Sequence, residues 1–195
     1  MQLKNQREYF NQTASQWTEV DARKLKVIKS SLSLLKISPT TKILDVACGT
    51  GVLYPLLMQI PVSKYLGLDI SEGMLAEFRK LCPEAKLICE NFNQSINLQE
   101  NFDLIVIFNS IPHFKNLELV FANAQQNLVT NGKFSIIHAR TRQGLREHHQ
   151  KIGYHSKHEP IPSDQVLTKL AEKFGFCNTT LLDEEFFFFS GEKSI

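Results

Sequence analysis

Sulfur is scarce and scattered in this 195-residue chain. Its four cysteines, Cys48, Cys82, Cys89 and Cys177, form no close pair and no metal-type spacing. That excludes a disulfide framework and a zinc signature, and predicts reduced thiols in a cytoplasmic protein. No apolar run reaches the length of a membrane span, and the first residues lack the pattern of a secretory signal. Neither sign of charge dominates, since 22 Lys and Arg against 20 Asp and Glu leave +2, spread along the chain. A nucleic-acid or anionic-membrane surface needs a basic footprint. The expected partner is therefore a small molecule, with no nucleic acid and no membrane. Internal repeats and low-complexity linkers are absent as well. What remains is one domain's worth of chain, which buries roughly 70% of its unfolded surface and needs no staple. Monomer and homodimer both fit.

The chain is organised around Ile43-Leu44-Asp45-Val46-Ala47-Cys48-Gly49-Thr50-Gly51. An apolar run delivers an acid, two glycines follow, and a helical pattern starts at Val52. Strand, glycine turn and helix make a nucleotide-type pocket, because glycines let backbone N–H groups approach a ligand and a helix start presents unpaired donors. A dinucleotide fingerprint wants a third glycine, and Tyr54 stands there. Asp45 at the strand tip repels a pyrophosphate and suits an ammonium. The next strand-like run, Tyr65 to Ile70, carries a second acid, Asp69, eighteen positions after Gly51 and placed for ribose hydroxyls. Ribose plus ammonium suggests S-adenosylmethionine.

At these residues the chain resembles the class I S-adenosylmethionine-dependent methyltransferases. Ile43 to Gly51 is similar to their glycine-rich motif, with Ala47 where many members have a first glycine, and Gly67 to Ser71 resembles the acidic tip of their second strand. The resemblance implies a single doubly wound α/β domain. Its seven-stranded, mostly parallel sheet would end in a C-terminal antiparallel hairpin and carry helices on both faces. A helical lid segment over residues 1–38 would precede a Rossmann-like body over residues 39–195. It also implies that Asp45, Ala47, Cys48, Gly49 and Gly51 hold the amino-acid end of S-adenosylmethionine. Asp69, Ile70 and Met74 would hold the ribose side, Asn91 and Phe92 the adenine, and Asn109 the tip of the central strand. Tyr9 and Trp17 belong to a Tyr-Phe-x-x-x-Ala-x-x-Trp segment that such enzymes close over the cofactor, where a ring face near a sulfonium gains about 0.5–2 kcal/mol. Packing of the same rings on the body is the plainer alternative.

Taken in order, Leu25, Ile28, Leu32 and Leu35 have helical spacing, stopped by Ser38-Pro39. Val52, Leu53, Leu56, Leu57 and Ile60 predict a buried helix with Pro55 in its first turn. Ser71 to Leu81 is amphipathic, with Ser71 as N-cap. A third strand is expected over Ala85–Cys89 and a central one over Phe102–Phe108. Leu117 to Leu128 reads as a helix closed by Asn131-Gly132, before a fifth strand over Lys133–Ala139. Thr141 to Ile152 and Val166 to Phe174 follow as helices. The segments Cys177–Leu182 and Phe186–Phe189 have too short a link for a crossover and should pair antiparallel, with the phenylalanine run inside the sheet.

Methyl transfer needs alignment first and a base only when the acceptor must lose a proton. His113 and His138 follow two neighbouring strands and should emerge on the rim that holds the glycine loop; His149 can turn toward it from the next helix. These three are the candidate catalytic residues, as base or as orienting donor, with an ordinary hydrogen-bonded core role as the alternative. No metal ligand set is assigned, although a metal-assisted or metalloid methyltransferase remains a variant reading of the cluster. His148, His155 and His158 are expected in solvent. A cofactor-binding module without catalysis and a nucleotide-linked oxidoreductase are the rival functions, the second opposed by the missing glycine and by Asp45.

Overall fold

The structure is a computed structural model and describes residues 3–154 and 159–195; His155 and His158 lie outside the described residues. Seven strands form one sheet: β1 (Lys42–Val46), β2 (Lys64–Asp69), β3 (Leu87–Cys89), β4 (Phe102–Phe108), β5 (Leu128–His138), β6 (Phe176–Asp183) and β7 (Phe187–Lys193). Their order is β3-β2-β1-β4-β5-β7-β6. β7 runs antiparallel to both of its neighbours, and the other pairings are parallel. The order reverses between β1 and β4, the switch point at which open α/β sheets bind ligands beyond their strand ends.

Helices cover both faces. On one, α2 (Ala22–Leu35), α3 (Tyr54–Leu57) and α4 (Glu72–Leu81) pack Ile28, Leu57, Leu75 and Phe78 on Ile43, Leu104 and Val106. On the other, α5 (Leu117–Asn127), α6 (Arg142–Lys151) and α7 (Asp164–Lys173) pack Phe121, Leu145 and Leu167 on Leu44, Ile105 and Phe134. β4 has residues buried toward both layers, which is why its sequence is nearly continuous apolar. Phe187, Phe188 and Phe189 are all buried because β7 lies between β5 and β6 and feeds both layers. Side-chain oxygens at Asp21, Ser71, Asn116, Thr141 and Ser163 cap the helices that follow them.

Three elements depart from expectation. The helix after the glycine loop shrinks to Tyr54–Leu57, and the residues around it close i to i+3 turns, Leu53 to Leu56, Leu56 to Gln59 and Leu57 to Ile60. Pro55 supplies no N–H to a longer helix, and the tight glycine turn before it leaves no straight first turn. β3 begins at Leu87 instead of Ala85. Helix α5 ends at Asn127 and the chain enters β5 at once, so Asn131-Gly132 does not close the helix. Asn131, at φ 63°, instead carries the strand through a shift in its pairing with β4. No helix among the described residues is long and apolar enough to cross a membrane.

Candidate functional site

A cleft with about 160 Å³ of free volume opens over the carboxyl ends of β1, β2, β3 and β4. Its floor is the glycine turn. Ala47 and Gly49 both take left-handed backbone, at φ 55° and 56°. A Cβ at Gly49 would meet nothing within 4 Å, so this residue faces open space. Gly51, at φ 87°, does a different job: a Cβ there would fall 2.4 Å from the Phe78 ring, so the missing side chain lets α4 close onto the loop. Gly51 does not line the cleft.

The two acids of the motifs also separate. Asp69 ends β2 and lines the cleft. Its carboxylate accepts from the Gly49 N–H and the Ser71 N–H, both at 2.8 Å. Burial raises its pKa against the lowering effect of these two bonds. Two backbone donors leave part of its acceptor capacity unspent. Asp45 does not line the cleft, contrary to the sequence reading. Strand alternation sends it to the same side as Ile43, under α3 and α4, where it is 1% exposed and accepts from the Tyr65 hydroxyl at 2.9 Å. Burial pushes its carboxyl up to about 7; the Tyr65 bond opposes the shift and the charge of Asp69 adds to it.

Cys48, Ile70, Met74, Asn91, Phe92 and Asn109 line the cleft with Asp69. Burial raises the Cys48 thiol well above its usual range, as expected of a packing residue and not a nucleophile. Asn91 Oδ1 accepts from the Asn93 N–H at 2.9 Å, which leaves its NH2 directed elsewhere. Asn109, at φ 55°, ties the tips of β4 and β5: its N–H donates to the Ile137 carbonyl at 2.8 Å and its Oδ1 accepts from the Ala139 N–H at 2.7 Å.

The roof is helix α1 (Leu3–Thr13) with a 3₁₀ turn over Ala14–Trp17. Gln6, Phe10 and Trp17 line the cleft, while Tyr9 is 42% exposed and points away. Hydrogen bonds hold the roof down. Asn11 Oδ1 accepts from the Ser71 hydroxyl at 2.7 Å and the Gly73 N–H at 2.9 Å, the Thr50 hydroxyl donates to the Trp17 carbonyl at 2.8 Å, and Gln6 Nε2 donates to the His113 carbonyl at 3.2 Å. Gly73 is small because a Cβ there would strike the Asn11 backbone at 2.7 Å. Phe10, Gln6 and Lys24 were absent from the sequence-predicted set. The spacing of Gln6, Phe10, Thr13 and Trp17 by four, three and four marks one helical face and would have selected Phe10 over Tyr9.

Of the three histidines only His113 lines the cleft. Its ring meets Phe10 edge to face at 5.0 Å. Burial and the neighbouring His149 push its pKa down to about 4. His138 lies behind it, 7% exposed at the end of β5, its Nδ1 accepting from the Arg140 N–H at 3.0 Å. Burial pushes it down to about 4 as well, and the charges of Arg140, His149 and His113 add to the shift. His149 packs on Tyr154 at 4.7 Å, outside the cleft, and His148 is half-buried instead of solvated. Among the described residues no three His, Cys, Asp or Glu side chains are grouped to hold a metal ion.

Comparison with known proteins agrees with this fold. Residues 43–132 match the family model described as a methyltransferase domain. The chain is 26% identical over 170 residues to the 18S rRNA (guanine(1575)-N(7))-methyltransferase of Saccharomyces cerevisiae, covering 86% of this chain and 58% of that protein. It is 28% identical over 130 residues to the malonyl-[acyl-carrier protein] O-methyltransferase of Bacillus cereus, covering 63% and 48%. The chain thus spans about half the length of these curated relatives. Among solved structures, magnesium protoporphyrin IX methyltransferase from Synechocystis PCC 6803 with bound S-adenosylhomocysteine superposes with a TM-score of 0.73 at 17% identity, over 98% of this chain and 99% of that one. Residues 43–132 thus match a methyltransferase domain, and the whole chain shares the Rossmann-like fold of the solved methyltransferase.

Proposed function

We propose that this chain binds S-adenosylmethionine in the switch-point cleft and transfers its methyl group to an acceptor that enters beside His113. The observation that carries this reading is the pairing of Asp69 with Gly49. A buried carboxylate is fixed by two backbone donors beside a left-handed glycine that offers no Cβ to the cleft. That combination suits a ribose held by hydroxyl-to-carboxylate bonds while backbone comes close to the rest of the ligand. In this reading Asp69 takes the ribose, Ala47 to Gly49 take the amino-acid end, and Phe92 and Asn91 flank the adenine. Because Asn91 Oδ1 is already engaged with Asn93, its NH2 serves as a donor to a ring nitrogen. Ile70 and Met74 close the apolar wall beside the ribose, and Trp17 and Phe10 cover the sulfur side.

S-adenosylmethionine supplies an activated methyl on a sulfonium sulfur. The chain's share is alignment and exclusion of water, worth up to about 7–11 kcal/mol in well-oriented systems. Gln6, Phe10 and Trp17 form the cover, and Asn109 fixes the rim between β4 and β5. Among the described histidines, His113 is the one positioned to touch an acceptor. His138 and His149 do not line the cleft, so their assignment moves from the reacting groups to positioning. The relatives named above act, by their names, on an rRNA guanine and on malonyl-[acyl-carrier protein], so the chain's even charge does not by itself remove nucleic acid as a source of acceptor. A small acceptor group is the reading kept here.

The test is calorimetric titration with S-adenosylhomocysteine. Asp69→Ala should weaken binding tenfold or more, because hydrogen bonds to a charged group contribute about 1.5–3 kcal/mol each. Equal affinity in the wild type and the variant would remove Asp69 from the site.

A further inference from the structure

The methyltransferase reading leaves the acceptor open, and the half of the cleft under α1 beside β4 narrows it. Two kinds of side chain meet there. The first are rings: Phe10, Phe114 and the imidazole of His113, with Phe10 set edge to face on His113 at 5.0 Å. The second are amides with one end spent. Gln6, 7% exposed, uses Nε2 on the His113 carbonyl, and among the described residues no hydrogen bond engages its Oε1. Asn109 uses Oδ1 on the Ala139 N–H, and its Nδ2 is unengaged in the same sense. The Gln6 oxygen and the Asn109 amide nitrogen are not sealed in the core, so each keeps hydrogen-bonding capacity for a molecule that enters the cleft. Faces that stack and amides that offer one acceptor and one donor are the means by which proteins hold flat heterocycles and read their edges.

The charged groups lining the cleft stand elsewhere. Asp69 and Glu90 follow β2 and β3, at the opposite end, and Lys24 directs its Nζ to the Glu19 carbonyl at 3.2 Å. Lys24, the cation among the described lining residues, is engaged with the Glu19 carbonyl and not with any residue of the His113 end. Among the described residues no carboxylate lines the His113 end of the cleft to take a proton from a hydroxyl. Burial also keeps the imidazole of His113 neutral and a weak base, its pKa pushed down to about 4. An acceptor here must bring its own free lone pair.

We propose that the acceptor is a planar heteroaromatic ring held among Phe10, Phe114 and His113, with its edge met by Gln6 Oε1 and Asn109 Nδ2, and methylated on an unprotonated ring nitrogen. The lone pair on that nitrogen forms the new N–C bond as the C–S bond breaks, and the C–S electron pair stays on sulfur. The positive charge passes from the sulfonium to the ring, where the faces of Phe10 and Trp17 favour a cation. No base and no further reactant are needed.

The test uses the full chain with S-adenosylmethionine and follows release of S-adenosylhomocysteine. Ring-nitrogen probes are guanosine 5′-monophosphate and quinoline, the carboxylate probe is benzoate, the hydroxyl probe is catechol, and total RNA forms a separate arm. Turnover is expected with ring nitrogens and not with benzoate or catechol. Activity on guanosine 5′-monophosphate identifies a free heterocycle as sufficient, whereas activity on RNA alone places the ring in a polymer. Gln6→Ala should raise KM for the ring about tenfold, with smaller changes in kcat and in affinity for S-adenosylhomocysteine. Turnover confined to benzoate or catechol, or a Gln6→Ala variant indistinguishable from wild type, overturns the proposal. So does a chain that binds S-adenosylhomocysteine yet neither turns over a ring probe or RNA nor shows a change in fluorescence of Trp17, its single tryptophan, on adding either ring probe. Failure to bind S-adenosylhomocysteine would instead overturn the methyltransferase reading itself.

Discussion

Replacing Asp45 by Asn tests the claim that this motif acid is a buried cost and not a ligand-holding group. Asp45 lies 1% exposed between β1 and the α3–α4 layer, facing the Tyr65 hydroxyl, with Asp69 and Cys48 the nearest other titratable groups. Its carboxyl ordinarily titrates near 3.8 and is pushed up to about 7 in the fold. The native state therefore holds a proton that the unfolded chain has released between these two values. Stability must fall as pH rises through that window and level off above about 7. At about 1.4 kcal/mol per pH unit the loss amounts to about 4 kcal/mol, an upper figure because relaxation around a buried carboxylate reduces it. Asn keeps the size and an oxygen for Tyr65 but cannot ionise. The variant should match the wild type below about pH 3.8 and exceed it at pH 8–9 by up to about 4 kcal/mol, or about 10 °C in Tm for a chain of this size. Urea unfolding at a series of pH values measures the difference directly. A difference that does not change with pH, or a wild type more stable than the variant at pH 9, would refute the reasoning.

His138 should show the opposite slope. Its folded pKa of about 4 lies below the ordinary 6.5, so the stability it adds is present above pH 6.5 and is lost as pH falls toward 4. His138→Asn should flatten that acid-side loss in thermal melts, and it should leave S-adenosylhomocysteine affinity intact if His138 only positions the wall behind His113. The two glycines of the loop should separate by assay. Gly51→Ala drives a methyl into the Phe78 ring at a left-handed residue, costing roughly 2–4 kcal/mol of stability from overpacking and backbone strain together, with partial rescue by Phe78→Leu. Gly49→Ala meets no atom, so its stability cost should be only about 1 kcal/mol and its effect should fall on cofactor affinity.

The fold was legible because its signals were redundant. β4 announces itself by an unbroken apolar run, the strand–helix alternation fixes a parallel sheet, and the short link before Phe187 forces an antiparallel return. The phenylalanine run made sense only inside a sheet, and β7 does lie between two strands. What misled was local. Val52 to Ile60 has helical periodicity, but Pro55 and the turn at Gly51 leave a single turn of helix, since periodicity reports which residues face the core and not which hydrogen bonds close. Asn131-Gly132 looked like a helix stop, yet the same pair serves a strand irregularity, because left-handed backbone is needed in both settings.

The cofactor end of the cleft was legible as a set of residues, and the acceptor end was not. A motif gives spacing, but a strand points alternate side chains to opposite faces, and that alternation decides whether an acid meets ligand or core. Asp45 falls on the α3–α4 face with Ile43, whereas Asp69, the last residue of β2, turns back to the Gly49 N–H and reaches the cleft. Both acids matter to one another even so: the charge of Asp69 helps to keep Asp45 protonated. A cationic ligand beside Asp69 would relieve that repulsion and lower the pKa of Asp45, so binding should release a fraction of a proton near neutral pH. Calorimetric titration in buffers of different ionisation enthalpy measures such a release, and it should vanish in Asp45→Asn while the affinity persists. Proton release that survives the substitution would place its source at another group and separate the two acids energetically as well as in space.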